Sequence, residues 1–562
     1  MSEIAINPQI NVGVQEIQPL RIDGTNTSYQ AFAANTGTGA SQMNFTINFP
    51  STSTIMSRSV LRMIPLQLNF TGTNNQTGAS SNLFTQDGLD ALRSMVGLRI
   101  ISQESIQLDG VTITQPSPND TYPEIMCHYN KSYRQFDPLC VPDSTQNYID
   151  GAGSINNPLA GYPACLSLPD GDQMKRGAFP LYSSAVQTAT TAVLQYMIPS
   201  WLYFPALFGA DQANKPGIVN VNTMQIQSTL NLAIQNIWSH AITTSGSGTT
   251  LTGFAASFFG TPQCYCKFIT PPPDYTPREC VYPMLKFDPQ PYIASGASLA
   301  FGAAPAIIQS TNISTPTIPN YLFLYVKENN ATANASSVSV ASELTNCFCS
   351  ITNVQVNFNN HPNILSNTPQ VNLWTASRDS GLCDSYQSFV GVTKAATSSQ
   401  TAAWGTVGLC GSVICLQFGK EIELMAGHHV GDKGPFQLSV QVSFINPNPT
   451  LSYTNPTLYT IPCYEQRLFL SMQDKHIDYI TEKYRGTGEA TTVPYDSGIE
   501  QFGGGCAGGS FFGSINNFLK KTGVIHHLAK SFSPEVASVA KSLGYGGAKM
   551  STAQLSKMMS RL

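Results

Sequence analysis

The residues of this chain best suited to chemistry are a glycine run, two histidine pairs and two closely spaced cysteine pairs. Gly503, Gly505 and Gly508 fit G-x-G-x-x-G inside "GGGCAGGS", and an amphipathic stretch follows. Such a loop holds a pyrophosphate only between a buried strand and a helix, with an acid about 20 residues further on. The preceding "VPYDSGIEQF" is not a buried strand, and no acid stands at that distance. Gly503, Gly504, Gly505, Gly508 and Gly509 therefore read as a flexible hinge. His428-His429 and His526-His527 are adjacent, so on a strand they would point to opposite faces; loop or surface roles fit them better than a metal. Cys264-x-Cys266 and Cys347-x-Cys349 fall short of the C-x₂₋₄-C spacing of a zinc knuckle. On a strand both members of each pair share one face, which suits core packing. There is no G-x-S-x-G, Walker A or H-E-x-x-H sequence. Two carboxylates of a β-sandwich glycosidase could meet in space, but acids are few and lie mostly in loops. The expectation is no catalytic residue, no metal and no cofactor.

The elements that would carry any such site are mostly strands. "MNFTINF" (43–49), "VLRMIPLQLNFTG" (60–72), "SQESIQLDGVTIT" (102–114) and "IVNVNTMQIQSTLNLAI" (218–234) alternate apolar and polar residues, the period of a half-buried strand. Pro271, Pro272, Pro273 and Pro277 then interrupt the pattern, since proline denies ladder donors and stiffens a connector. Strands resume at "YLFLYVKE" (321–328), "CFCSITNVQVNFNN" (347–360), "SVICLQFGKEIELMA" (412–426) and "FQLSVQVSFINP" (436–447). The connections 130–182 and 234–268 read as unusually long loops. Two β-rich halves of about 200 residues each around a proline connector indicate sandwiches or jelly rolls rather than a parallel α/β sheet.

Charged residues make up only 11% of the 562 residues, against roughly 25% in an average protein. A neutral polar surface lets many copies approach with little charge repulsion. The net charge of −4 is unevenly spread. From Phe511 to Leu562, seven cations (Lys520, Lys521, Lys530, Lys541, Lys549, Lys557, Arg561) face one acid, Glu535, so this tail is +6 and the remainder −10. "SPEVASVAKSLG" reads as a helix, with Ser533 as N-cap, Pro534 in the first turn and Gly544 as stop. Val536, Val539 and Leu543 share its apolar face, and Phe512, Ile515 and Leu519 suggest another. No secretory leader or membrane span is evident, so the protein is expected to be a cytosolic or nuclear chain with its thirteen cysteines reduced.

The order of several segments resembles the major capsid proteins of small double jelly-roll DNA viruses, of the polinton-like virus and virophage type. "FPSTSTIMSRSVLRMIPLQLNFTG" (49–72) looks like the opening strands of a first jelly roll. "DALRSMVGLRIISQESIQLDGVTITQPSPNDTYPEIMCHYN" (90–130) is similar to the next block, a strand, an L-[DN]-G turn and a helical stretch ending in an aromatic. "YFPALFGADQANKPGIVNVNTMQIQSTL" (203–230), "LTNCFCSITNVQVNFNNHPNILS" (344–366), "LWTASRDSGL" (373–382) and "GSVICLQFGKEIEL" (411–424) follow in the family's order. The resemblance covers about residues 40 to 470.

It implies an all-β fold of two consecutive eight-stranded jelly rolls, with short helices in loops and a helical C-terminal tail. The corresponding divisions are an N-terminal arm (1–40), a first jelly roll (41–268), a second (269–485), and a Gly-rich hinge with a basic, partly helical tail (486–562). Ile4, Ile6, Ile10 and Val12 could let the arm add a strand to a neighbour's edge. The implied function is that of a major capsid protein: homotrimeric, pseudo-hexagonal capsomers tile an icosahedral virion shell beside penton and minor capsid proteins. The tail would face the interior and touch packaged DNA, an inner membrane or minor capsid proteins, or be cleaved at the glycine run. A β-sandwich attachment protein that binds glycans is the alternative.

Overall fold

The computed structural model describes residues 4–11, 14–21, 26–35, 41–74, 82–83, 90–92, 95–129, 182–213, 215–240, 249–270, 279–294, 298–327, 348–359, 361–396, 404–408, 411–425, 427–447, 452–471 and 477–480. The first half supplies β1 (Ile4–Asn11), β2 (Val14–Arg21), β3 (Asn26–Ala33), β4 (Gln42–Asn48), β5 (Leu61–Asn74), β6 (Ile101–Leu108) and β7 (Val111–Pro116). After a gap it continues with β8 (Tyr182–Gln187), β9 (Thr191–Trp201), β10 (Thr223–Leu230), β11 (Thr249–Phe258) and β12 (Gln263–Thr270). Two short helices, α1 (Val96–Arg99) and α2 (Pro118–Tyr129), flank β6 and β7. One sheet runs β8-β9-β5-β12-β3, with β11 also on β5; the facing sheet runs β4-β10-β6-β7.

The second half supplies β13 (Glu279–Phe287), β14 (Gln290–Ile293), β15 (Ala306–Gln309), β16 (Ile313–Thr317), β17 (Tyr321–Lys327), β18 (Ser350–Phe358) and β19 (His361–Ile364). Helices α3 (Gln370–Asp379) and α4 (Tyr386–Val390) follow, then β20 (Val413–Gln417), β21 (Lys433–Ile445), β22 (Thr457–Ser471) and β23 (Ile477–Ile480). One sheet runs β13-β22-β17-β20, and the facing sheet runs β15-β21-β18-β19, with β16 further along β21. The strand pairs are antiparallel. Take β3, β4, β5, β6, β7, β9, β10 and β12 as strands 1 to 8 of the first half, and β13, β15, β17, β18, β19, β20, β21 and β22 as those of the second. Both halves then run 1-8-3-6 in one sheet and 2-7-4-5 in the other.

Alternation builds each sandwich. In β4, Met43, Phe45 and Ile47 are buried, and in β10 Met224 and Ile226 face them across the register while Gln225 and Gln227 turn outward. The β6–β7 turn is fixed by Asp109 and Gly110, both at positive φ (43° and 99°), where glycine has no Cβ penalty. The Asp109 carboxylate accepts the Asn222 and Thr223 amides, at 3.0 and 2.8 Å, and so ties this turn to the start of β10.

Two segments differ from expectation. Residues 26–33, within the span expected to leave the body as an arm, form the edge strand β3, because Phe32 packs on the core and every second residue faces it. Hairpin β1–β2 precedes it. The span 234–268, expected as a long loop, instead contains β11 and most of β12. The proline window lies between β12 and β13, with 271–278 outside the described residues.

Candidate functional site: the seam between the halves

The two halves meet along a seam organised by α2. Pro118 opens the helix, where its missing N–H costs nothing. Thr121, Tyr122, Glu124, Ile125, His128 and Tyr129 are all buried, so the helix is a wedge rather than a surface element. It lies against the outer face of the β13-β22-β17-β20 sheet. Phe323 and Tyr325 of β17, Val413 and Cys415 of β20, and Ile461 and Cys463 of β22 lie on that face, each 1% exposed or less. Tyr129 meets Phe323 edge-on at 5.3 Å between ring centroids, and Tyr122 meets Phe287 at 5.9 Å.

Hydrogen bonds cross the seam in both directions. The Tyr129 hydroxyl donates to Val413 O at 2.9 Å, Gln115 Nε2 to Phe287 O at 2.7 Å, and the Tyr282 hydroxyl to Gly217 O at 2.8 Å. Tyr325 donates to Asp120 O. The Cys383 amide donates to His128 O at 2.8 Å, and the Leu285 amide to Pro205 O at 3.2 Å. Burial pushes the Tyr129 and Tyr325 hydroxyls well above the usual phenol range, so both remain protonated donors.

Charge is concentrated here. Glu124 accepts from Arg99 Nη1 at 2.8 Å and from Lys327 Nζ at 3.2 Å, which places cations of both halves on one carboxylate. His128 Nδ1 pairs with Asp384 Oδ2 across the seam, both almost fully buried. Burial raises the Asp120 carboxyl, with Lys327 at 3.8 Å acting the other way. Arg58 donates to Ala206 O at 3.0 Å and lies over the Tyr282 ring at 5.7 Å. Burial pulls its pKa down to about 10, opposed by Tyr282 and Asp211. A second buried pair sits inside the first half, where Arg62 Nη1 and Glu104 Oε1 are 2.5 Å apart and Ser228 donates to the same oxygen at 3.0 Å. This pair links the two sheets of that sandwich.

Sequence reasoning did not single out these residues. The signal was present: Arg62 and Glu104 occupy the inward phase of "VLRMIPLQL" and "SQESIQL", where apolar residues belong. Cys264 and Cys266 both face the core of the first half, and Cys349 that of the second. Contact with Cys264, together with burial, pushes the Cys266 thiol up. The expectation of reduced cysteines is corrected at Cys383, which is disulfide-bonded; pairing depends on Cβ approach, which spacing along a chain does not reveal. His428 and His429 lie on a turn where Asp432 accepts the His429 amide at 2.7 Å. His526-His527 and Cys347 lie outside the described residues. So do the hinge glycines 503–505, 508 and 509, the tail cations Lys520, Lys521, Lys530, Lys541, Lys549, Lys557 and Arg561, and the apolar positions Phe512, Ile515, Leu519, Val536, Val539 and Leu543.

This arrangement binds parts of one chain to each other, and comparison with known proteins gives it a context. Residues 10–264 match the family model of the Sputnik virophage major capsid protein first domain, and residues 291–465 that of the major capsid protein V20 C-terminal domain. Together they span about three quarters of the chain. Capsid protein V20 of the Sputnik virophage is 26% identical over 533 residues, covering 93% of this chain and 86% of that protein. A chain of the Sputnik virophage structure solved by cryo-EM superposes with a TM-score of 0.71 at 23% identity, covering 88% of this chain and 97% of that one. The crystal structure of the mavirus major capsid protein gives 0.63 at 14% identity, covering 82% and 93%. The chain belongs to the virophage major capsid proteins of the Sputnik and mavirus type, a double jelly-roll family of structural virion proteins rather than enzymes.

Proposed function

We propose that this capsid protein works as a homotrimer in which each chain contributes two eight-stranded jelly rolls, divided near residues 268 and 269. Three chains then form a pseudo-hexagonal capsomer that tiles an icosahedral shell beside penton and minor capsid proteins. The observation that carries this reading is the shared strand order: both halves run 1-8-3-6 and 2-7-4-5, so one chain presents two similar blocks. The low charge supports it as well, since lateral faces between copies must lose water without stranding ions. An obligate interface of this kind buries about 2,000 Å² or more. Light scattering and negative-stain microscopy of the purified protein test the reading. Trimers with six-lobed outlines are expected, and a monomer at micromolar concentration would overturn it.

The basic segment 486–562 then faces the interior on its glycine hinge and contacts packaged DNA through its seven cations, with an inner membrane or minor capsid proteins as other contacts. Many tails on one shell act together, so binding is steeply salt-dependent. Shells assembled without residues 503–562 should form normally and hold less genome; unchanged genome content would remove the DNA contact.

A further inference from the structure

The two halves have similar sheets but different cover. On the β13-β22-β17-β20 sheet both faces are buried, because the core lies on one side and α2 of the first half on the other. The equivalent sheet of the first half, β3-β12-β5-β9, buries one face only. Its outer face carries Leu61 and Met63 half-exposed, Tyr265 at 38% and Tyr29 at 74% exposure. The register puts Tyr265 beside Leu61 and Gln263 beside Met63 on β5, while Lys267 sits beside Tyr29 on β3. Lys267 is the one charged side chain on that face of these four strands. This is a largely apolar sheet face of the kind that is dry in the other half.

The chain also presents a candidate cover. Helix α3 occupies the same place in the strand order of the second half, between strands 5 and 6, that α2 occupies in the first. Its inner side is fixed: Leu373 and Ser377 are buried, and Ser377 Oγ accepts the Cys415 amide at 3.2 Å. Its outer side, with α4, shows Val371 at 43% and Tyr386 at 38% exposure. Tyr386 packs on Trp374 at 5.6 Å, and Trp374 Nε1 donates to Asp384 O at 3.1 Å. The aromatic pair is thus rigidly placed, the kind of anchor that dominates interfaces.

We infer that the α3–α4 surface of one chain covers the outer face of the β3-β12-β5-β9 sheet of a second copy, repeating between chains the cover that α2 gives within the chain. The contact is heterologous, so it propagates head to tail and closes on a ring. The inference rests on the homotrimer reading and adds which two surfaces meet.

Two variants test it, Val371→Glu on the helix and Tyr265→Glu on the sheet, each at an exposed position. Each should raise the concentration of half-dissociation about 30-fold or more, while thermal melting of the monomer stays as in the wild type. Hydroxyl-radical footprinting of the unmodified trimer gives a second readout. Tyr29, Tyr265, Trp374 and Tyr386 should react several-fold more slowly in the trimer than in the diluted monomer. Trimers of undiminished stability in both variants, with all four rings equally reactive before and after dissociation, would overturn this pairing and leave the homotrimer standing. A wild-type chain that stays monomeric would overturn both.

Discussion

The two halves share a strand order but solve burial differently. The first half keeps charge inside: Arg58, Arg62, Arg99, Glu104 and Glu124 are all buried. Among the described residues of the second half, Asp384 is the one buried acid or base, and it pairs with His128 of the first half. The second half is a drier body that borrows α2 to finish one sheet. The first half builds its sandwich core almost entirely from its own residues, with Tyr282, Met284 and Leu468 of the second half added at its margin, and it lends a helix. Similar topology therefore does not imply equal independence, because completeness of the core depends on what covers each sheet.

The sharpest way to break this comparison is to separate the halves. Residues 1–268 alone should unfold cooperatively, whereas 269–485 alone should bind a hydrophobic dye and melt without a transition, since the face around Phe323 and Tyr325 loses its cover. A cooperative melt of 269–485 would show that α2 is dispensable. Next is the buried pair inside the first half. Glu104→Leu strands the Arg62 guanidinium and should cost about 3–5 kcal/mol in urea unfolding, while Arg62→Met with Glu104→Leu should recover most of that loss. If the double variant is as unstable as the single one, the pair does more than neutralise itself. At the seam, Tyr129→Phe leaves the Val413 carbonyl without its hydroxyl donor and should cost about 1–2 kcal/mol. The smallest effect belongs to Asp120. Its carboxyl is raised by burial, so the folded state holds the proton more tightly than the unfolded one. Stability from that proton is complete below the unfolded value of 3.8 and is lost as pH rises through the higher folded value. Asp120→Asn should therefore flatten the stability profile on the side above pH 3.8 and leave the acid side unchanged.

Much of the sandwich was legible because alternation is a local signal. Residues 43–49, 60–72, 321–328 and 436–447 each coincide with a strand whose ends lie within three residues of where the pattern places them. The missed strands teach more. β9 alternates cleanly, with Ala192, Leu194, Tyr196 and Ile198 buried, yet Pro199 and a run of small residues before it masked the period. β3 has one large apolar residue on its inner side, Phe32, so its place at a sheet edge came from pairing with β12 rather than from its own pattern. The seam was the least legible part. His128 and Asp384 are 256 residues apart, and Glu124 meets Lys327 over 203; only the packed chain brings them together. The cofactor reading of the glycine run, in contrast, was set aside from local context alone, because a phosphate loop needs neighbours that this sequence lacks.

The seam's hydrogen bonds have one further property. Val413, Phe287, Gly217, Asp120, Pro205 and His128 all take part as acceptors through their main-chain oxygens. A main-chain oxygen persists whatever side chain the codon specifies. Half of this joint is thus insulated from ordinary point substitution, and its side chains can drift in identity while the pattern of attachment survives. A building block made this way can diversify its outer loops freely and still be stamped out to one gauge.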